Sequence, residues 1–183
     1  MGFKKILGAS VLTFALASSC FAAKVNEADV SYKIFQDNDY KISVQLPEGF
    51  DYADNTEANV VEAAEDKKGG YYKIVAEDAE ASLMDAGTNK EKLHDLKDGI
   101  KKEYLKSGLE IYSEYTIKIN PNRYGYFLEG YYKGDGDKGK SKNSVIVFFF
   151  NNKKYTVTLT SPYGKKGYLK SFKRFRTSIT CKE

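Results

Sequence analysis

Histidine occurs once in this chain, cysteine twice and proline three times. A single histidine, His94, excludes a metal site built from several histidines, the commonest catalytic zinc arrangement. No stretch reaches roughly 18 uninterrupted apolar residues, so no transmembrane helix is expected. No G-x-S-x-G nucleophile elbow occurs either. The paired carboxylates Asp95 and Asp98 lie three apart among lysines, a spacing that suits ion pairs on a helix surface better than a glycosidase pair. With no catalytic constellation, the expectation is a protein that is not an enzyme and carries no cofactor.

What is present begins with MGFKKILGASVLTFALASSCFAAK. Lys4 and Lys5 form a basic start, residues 6–17 an apolar run broken only by small residues, and small residues lead to Ala22 and Ala23. That layout predicts a secretory signal peptide over residues 1–22, a flexible lead over 23–29 and a single domain over 30–183. The product is then exported, periplasmic or secreted. The alternative processing makes Cys20 the lipidated first residue of a lipoprotein. ALASSC departs from a lipobox at Ala17 and Ser19, so simple cleavage is favoured. Either route removes Cys20 from disulfide chemistry, leaving Cys181 as a lone thiol. Cleavage after Ala22 leaves 161 residues, enough to bury a core without disulfide staples.

Charge is unevenly spread. Residues 24–80 hold fourteen acids against six basic residues, whereas residues 138–183 hold twelve basic residues and one acid, Glu183. Such asymmetry marks either an anionic partner or two solvated faces of one domain.

Two alternating runs, VSYKIF (30–35) and YKISVQL (40–46), flank the turn QDND and predict a hairpin in which Tyr40, Ile42, Val44 and Leu46 share a face. NVVEAAED and YYKIVAED suggest a second strand pair around KKGG. In NKEKLHDLKDGIKKEYLKSG, Leu93, Leu96, Ile100 and Tyr104 fall on one face of a helix starting near Thr88 or Asn89 and stopping at Gly108. Strand periodicity returns in LEIYSEYTIKI (109–119), YGYFLEGYY (124–132), SVIVFFF (144–150) and YTVTLT (155–160). The terminal segment YGKKGYLKSFKRFRTSI places Tyr168 or Leu169, Phe172, Phe175 and Ile179 on a helical stripe.

The loop GDGDKGKS (134–141) matches both the P-loop and the dinucleotide fingerprint. Both motifs need a helix next, to present its N-terminal N–H groups to phosphate. SVIVFFF is β-branched and aromatic, and Asp135 and Asp137 would repel the phosphates. The loop is a hairpin connection and no nucleotide is expected. As a calcium loop it lacks the ligand at position five and the glutamate at position twelve, where Ile146 stands.

The candidate binding segment is C-terminal: Lys165, Lys166, Lys170, Lys173, Arg174 and Arg176 interleave with Tyr168, Phe172 and Phe175. One reading is an amphipathic helix with aromatics inward and charges in water. The other is a docking surface for an unknown protein or an anionic envelope component. Nucleic acid does not fit so modest a net charge in an exported protein. A small-ligand carrier or enzyme with a tyrosine-lined pocket between sheet and helix is the alternative.

The order of elements, together with ISVQLPEGF and FFFNNKKYTVTLTSP, resembles the PsbP-like proteins, a group that includes PsbP, bacterial DcrB-like proteins and the Ran-binding Mog proteins. The resemblance spans residues 30–179. It implies an α+β domain with a central antiparallel β-sheet sandwiched by helices, and a role in binding or assembly. It supplies no site motif, so no functional residue is carried over.

Overall fold

The alternation in ISVQL becomes β2 (Ile42–Leu46), with Ile42, Val44 and Leu46 buried and the residues between them half-exposed. It pairs antiparallel with β1 (Lys33–Asp37). The computed structural model describes residues 33–46, 49–54, 57–133, 139–165 and 168–182, with backbone alone at residues 33 and 169–172. The expected signal peptide, the lead and Cys20 lie outside the described residues.

The β1–β2 turn falls two residues later than QDND suggests. Asp37 remains in the strand and its carboxylate accepts the N–H groups of Asp39 and Tyr40 at 2.8 and 2.9 Å, closing an Asx turn. The second strand pair is β4 (Val60–Asp66) and β5 (Tyr71–Asp78), with short β3 (Phe50–Tyr52) added outside β4. A short helix, α1 (Asp85–Thr88), precedes α2 (Lys90–Lys106). Asn89 caps α2, its side chain accepting from the N–H groups of Glu91 and Lys92, and Gly108 takes the left-handed φ of +90° just beyond the helix.

Four long strands follow: β6 (Glu110–Asn120), β7 (Arg123–Tyr132), β8 (Ser141–Phe150) and β9 (Lys153–Pro162). The two-residue β8–β9 turn uses Asn151 and Asn152, both at positive φ, which the hairpin's right-handed twist requires. The chain closes with α3 (Tyr168–Ser178) and β10 (Thr180–Cys181), the latter pairing with β2.

Seven strands form one sheet in the order β3-β4-β5-β9-β8-β7-β6, each neighbouring pair antiparallel. Strand β8 lies inside the sheet between β9 and β7 and is buried on both faces, hence its unbroken apolar run. Ile146, Phe148 and Phe150 point to one layer, with Tyr72, Val157 and the apolar side of β2 and α3. Val145, Val147 and Phe149 point to the other, against Leu93 and Ile100 of α2. Burying each such α2 side chain contributes about 1.5–3 kcal/mol. One face of the sheet thus carries α1 and α2, and the other carries α3 and the small sheet β1-β2-β10.

Candidate functional site

Helix α3 is tied down through its apolar and hydroxyl side. Phe175, fully buried, meets Tyr72 edge-on with ring centroids 4.7 Å apart. Tyr168 donates to Asp66 at 2.6 Å, and the N–H of Gln45 donates to Ser178 at 2.8 Å. Burial, reinforced by the Asp66 carboxylate, pushes the Tyr168 hydroxyl up to about 12, so it remains a donor at neutral pH.

The six candidate cations of this segment divide. Lys165, Lys173 and Arg174 are exposed, Arg174 donating to Gln45 at 3.4 Å. Lys166 and the Lys170 side chain lie outside the described residues. Arg176 is half-buried: its guanidinium sits 5.6 and 5.2 Å from the ring centroids of Tyr115 and Phe127 and donates to the Tyr115 hydroxyl. It is a packing residue of the sheet face rather than an outward-facing charge.

Beyond Arg176 the same sheet face carries tyrosines. The strand period of two places Glu129 and Tyr131 on the side of buried Phe127, and Lys142 and Ser144 on the side of buried Ile146. The register sets Glu129 opposite Ser144 and Tyr131 opposite Lys142. Tyr112 of β6, 48% exposed, stacks on Tyr131 at 4.7 Å, and Tyr163, 55% exposed, meets the Tyr131 edge at 5.1 Å. The Lys140 ammonium rests 4.4 Å from the Tyr131 centroid and 5.0 Å from that of Tyr163.

Within this face Lys142 pairs with Glu129 at 2.7 Å, and Ser144 donates to Glu129 at 2.9 Å. Burial works to raise the Glu129 carboxyl, but hydrogen bonds from Lys142, Tyr112 and Ser144 outweigh it and hold the group below the ordinary carboxylate value. Burial and the Glu129 carboxylate together raise Tyr112, which therefore stays protonated.

A hollow of about 450 Å³ opens beside this array, lined by Lys140, Ser141, Thr160, Ser161, Tyr163 and neighbouring glycine and proline. A smaller one, about 230 Å³, lies between Lys101 of α2 and Tyr112 and Glu114 of β6. Sequence reasoning missed this array. The alternation YGYFLEGYY places Tyr131 on a face, but only the β6–β7 register, with its irregularity between Ile111 and Ser113, brings Tyr112 onto it.

The remaining candidates sit apart. His94, Asp95 and Asp98 are exposed on α2. Among the described residues no group of three or more His, Cys, Asp or Glu side chains is placed to hold a metal ion. Burial pushes the Cys181 thiol up to about 11 against the pull of Arg123, so it is a poor nucleophile. The glycine-rich loop joins β7 to β8, paired from Tyr132 and Ser141 onward, and no helix follows it; residues 134–138 lie outside the described residues. No helix among the described residues is long and apolar enough to cross a membrane.

The architecture is that of a single α+β domain with one dominant antiparallel sheet. Among solved structures it aligns with the solution structure of cyanobacterial PsbP (CyanoP) from Synechocystis sp. PCC 6803 at a TM-score of 0.59 and 16% identity, covering 90% of this chain and 98% of that one. It aligns with the Saccharomyces cerevisiae Ran-binding protein Mog1p at a TM-score of 0.53 and 10% identity, covering 84% of this chain and 96% of that one. A Bacteroides thetaiotaomicron protein matches at 0.51 and 13% identity, over 82% of this chain and 48% of that one. No protein-family model and no curated protein matches the sequence. The fold is therefore PsbP/Mog-like, as the sequence resemblance implied, and identity this low leaves function to be argued from the residues.

Proposed function

We propose that the protein is an exported, non-enzymatic binding or assembly protein of the bacterial envelope, engaging a protein or anionic envelope component through the outward side of α3. The carrying observation is the division of labour on that helix. Buried Phe175 and half-buried Tyr168 hold it to the sheet, while Lys173 and Arg174 are exposed and Lys165 precedes them. Charges so placed steer an anionic partner without being needed for the fold. Among proteins of this fold, Mog1p is described as Ran-binding, which supports a protein-binding use of the scaffold.

The test is a cross-linked pull-down of the natively produced, tagged protein, repeated with Lys170, Lys173 and Arg174 changed to Glu. The expected result is a reproducible partner that is lost as salt rises and lost in the charge-reversed variant, with the thermal midpoint unchanged. Equal capture by the variant would sink the α3 assignment. The 450 Å³ hollow favours the small-ligand alternative, which predicts that a sugar or metabolite raises the thermal midpoint.

A further inference from the structure

The hollow at the end of the central strands has a lining that narrows its occupant. Two carboxylates near it, Glu110 and Glu129, are already paired with Lys133 at 2.6 Å and Lys142 at 2.7 Å. Lys140 is different. Among the described residues no carboxylate lies within ion-pair distance of it, and its ammonium rests against the rings of Tyr131 and Tyr163 instead. An aromatic face attracts the charge but leaves the three N–H donors without strong acceptors.

Ser141, Thr160 and Ser161 line the hollow with the exposed ring of Tyr163. The Thr160 hydroxyl already donates to Asn143 at 2.6 Å and Ser141 accepts from Asn143 at 3.2 Å, which leaves the Ser141 proton and the Ser161 hydroxyl for a ligand. One surplus cation matches a monoanion. A phosphate would call for more donors than this, and Glu110 and Glu129 would oppose its second charge. A peptide added as a strand fits poorly, because β8 and β9 are hydrogen-bonded on both sides and offer no free edge. A sugar acid meets these features: a carboxylate for Lys140, hydroxyls for the two serines, and a C–H face for the Tyr163 ring and the apolar part of the lining.

We propose that this hollow binds a carboxylated sugar unit of an acidic polysaccharide, with Lys140 taking the carboxylate and Tyr163 stacking on the sugar ring. Tyr131 and Tyr112 continue the aromatic surface toward β6, so neighbouring units of the same polymer can lie along it. The inference deepens the reading of the protein as a binder of anionic envelope material, but uses a surface separate from the exposed cations of α3.

The experiment titrates the natively produced protein with oligogalacturonate and with neutral maltodextrin of similar length, by calorimetry and by tyrosine emission, which no tryptophan masks in this chain. Lys140→Gln and Tyr163→Ala alter half-buried and exposed side chains, and their thermal midpoints confirm that the fold persists. Lys118→Gln, removing a cation 6.0 Å from the Tyr124 centroid, is the control. The proposal expects oligogalacturonate to bind, affinity to fall about tenfold or more in Lys140→Gln and Tyr163→Ala, and Lys118→Gln to match the parent. Absence of binding overturns it, as does binding that all three variants retain or that maltodextrin equals. Loss of this site while the α3 pull-down still succeeds would remove the sugar site and leave the proposed function standing.

Discussion

Glu129 shows how a single side chain organises the open sheet face. It is held by Lys142, Ser144 and Tyr112, and those hydrogen bonds, overcoming the opposing effect of burial, keep its pKa low. Because the folded value lies below the unfolded glutamate value of roughly 4.3, the stabilisation is complete above that pH and disappears as pH falls through the folded value. Glu129→Gln should therefore lower the urea midpoint at pH 7 and have a smaller effect near pH 3. Equal losses at both would contradict the linkage. Arg176 and Lys173, three positions apart in one basic run, behave oppositely for a reason invisible in the run itself: one meets Tyr115 and Phe127, the other meets solvent.

Helix α2 was legible to within a residue or two, because Asn89, the Leu93–Ile100 spacing and Gly108 are local signals with local causes. The β4–β5, β6–β7 and β8–β9 hairpins were legible for the same reason. Strand β10, three-residue β3 and α1 were not, since each owes its existence to a neighbour distant in sequence: β10 to Ser43 and Ile42, α1 to the end of β8. The α1 contact carries its own test. A Cβ on buried Gly87 would run into the carbonyl oxygen of Phe149, which also accepts from Arg123 at 3.1 Å. Gly87→Ala should destabilise by about 1–3 kcal/mol despite alanine's better helix propensity, since a central strand's backbone yields little. Denaturant midpoints check this, and a neutral or stabilised variant would mean α1 shifts freely.

Across the whole molecule, the acidic first part and the basic last part meet along the β5–β9 seam. Strand β5 lies beside β9 in a register that sets Asp78 opposite Lys153 and Glu77 opposite Lys154, with ion pairs of 2.5 and 3.2 Å. Charge that looked available for a partner is thus partly used within the domain, and among the described residues of the basic last part Lys165, Lys173, Arg174 and Lys182 stay exposed. The processing of the N-terminus belongs to this scale too. Under simple cleavage after Ala22, Cys20→Ser should leave the protein's fractionation unchanged. A shift from membrane to soluble fraction would establish the lipoprotein form instead.

By itself the sequence determined the main succession of strands and helices, the strand character of SVIVFFF and the strand-to-strand nature of the glycine-rich loop, because periodicity, capping and turn chemistry act over a few residues. Only the tertiary structure decided which aromatic and basic side chains remain open. That depends on where α3 and the small sheet come to rest across the large one, which leaves Tyr112, Tyr163 and Lys140 together while Arg176 is drawn down onto Phe127.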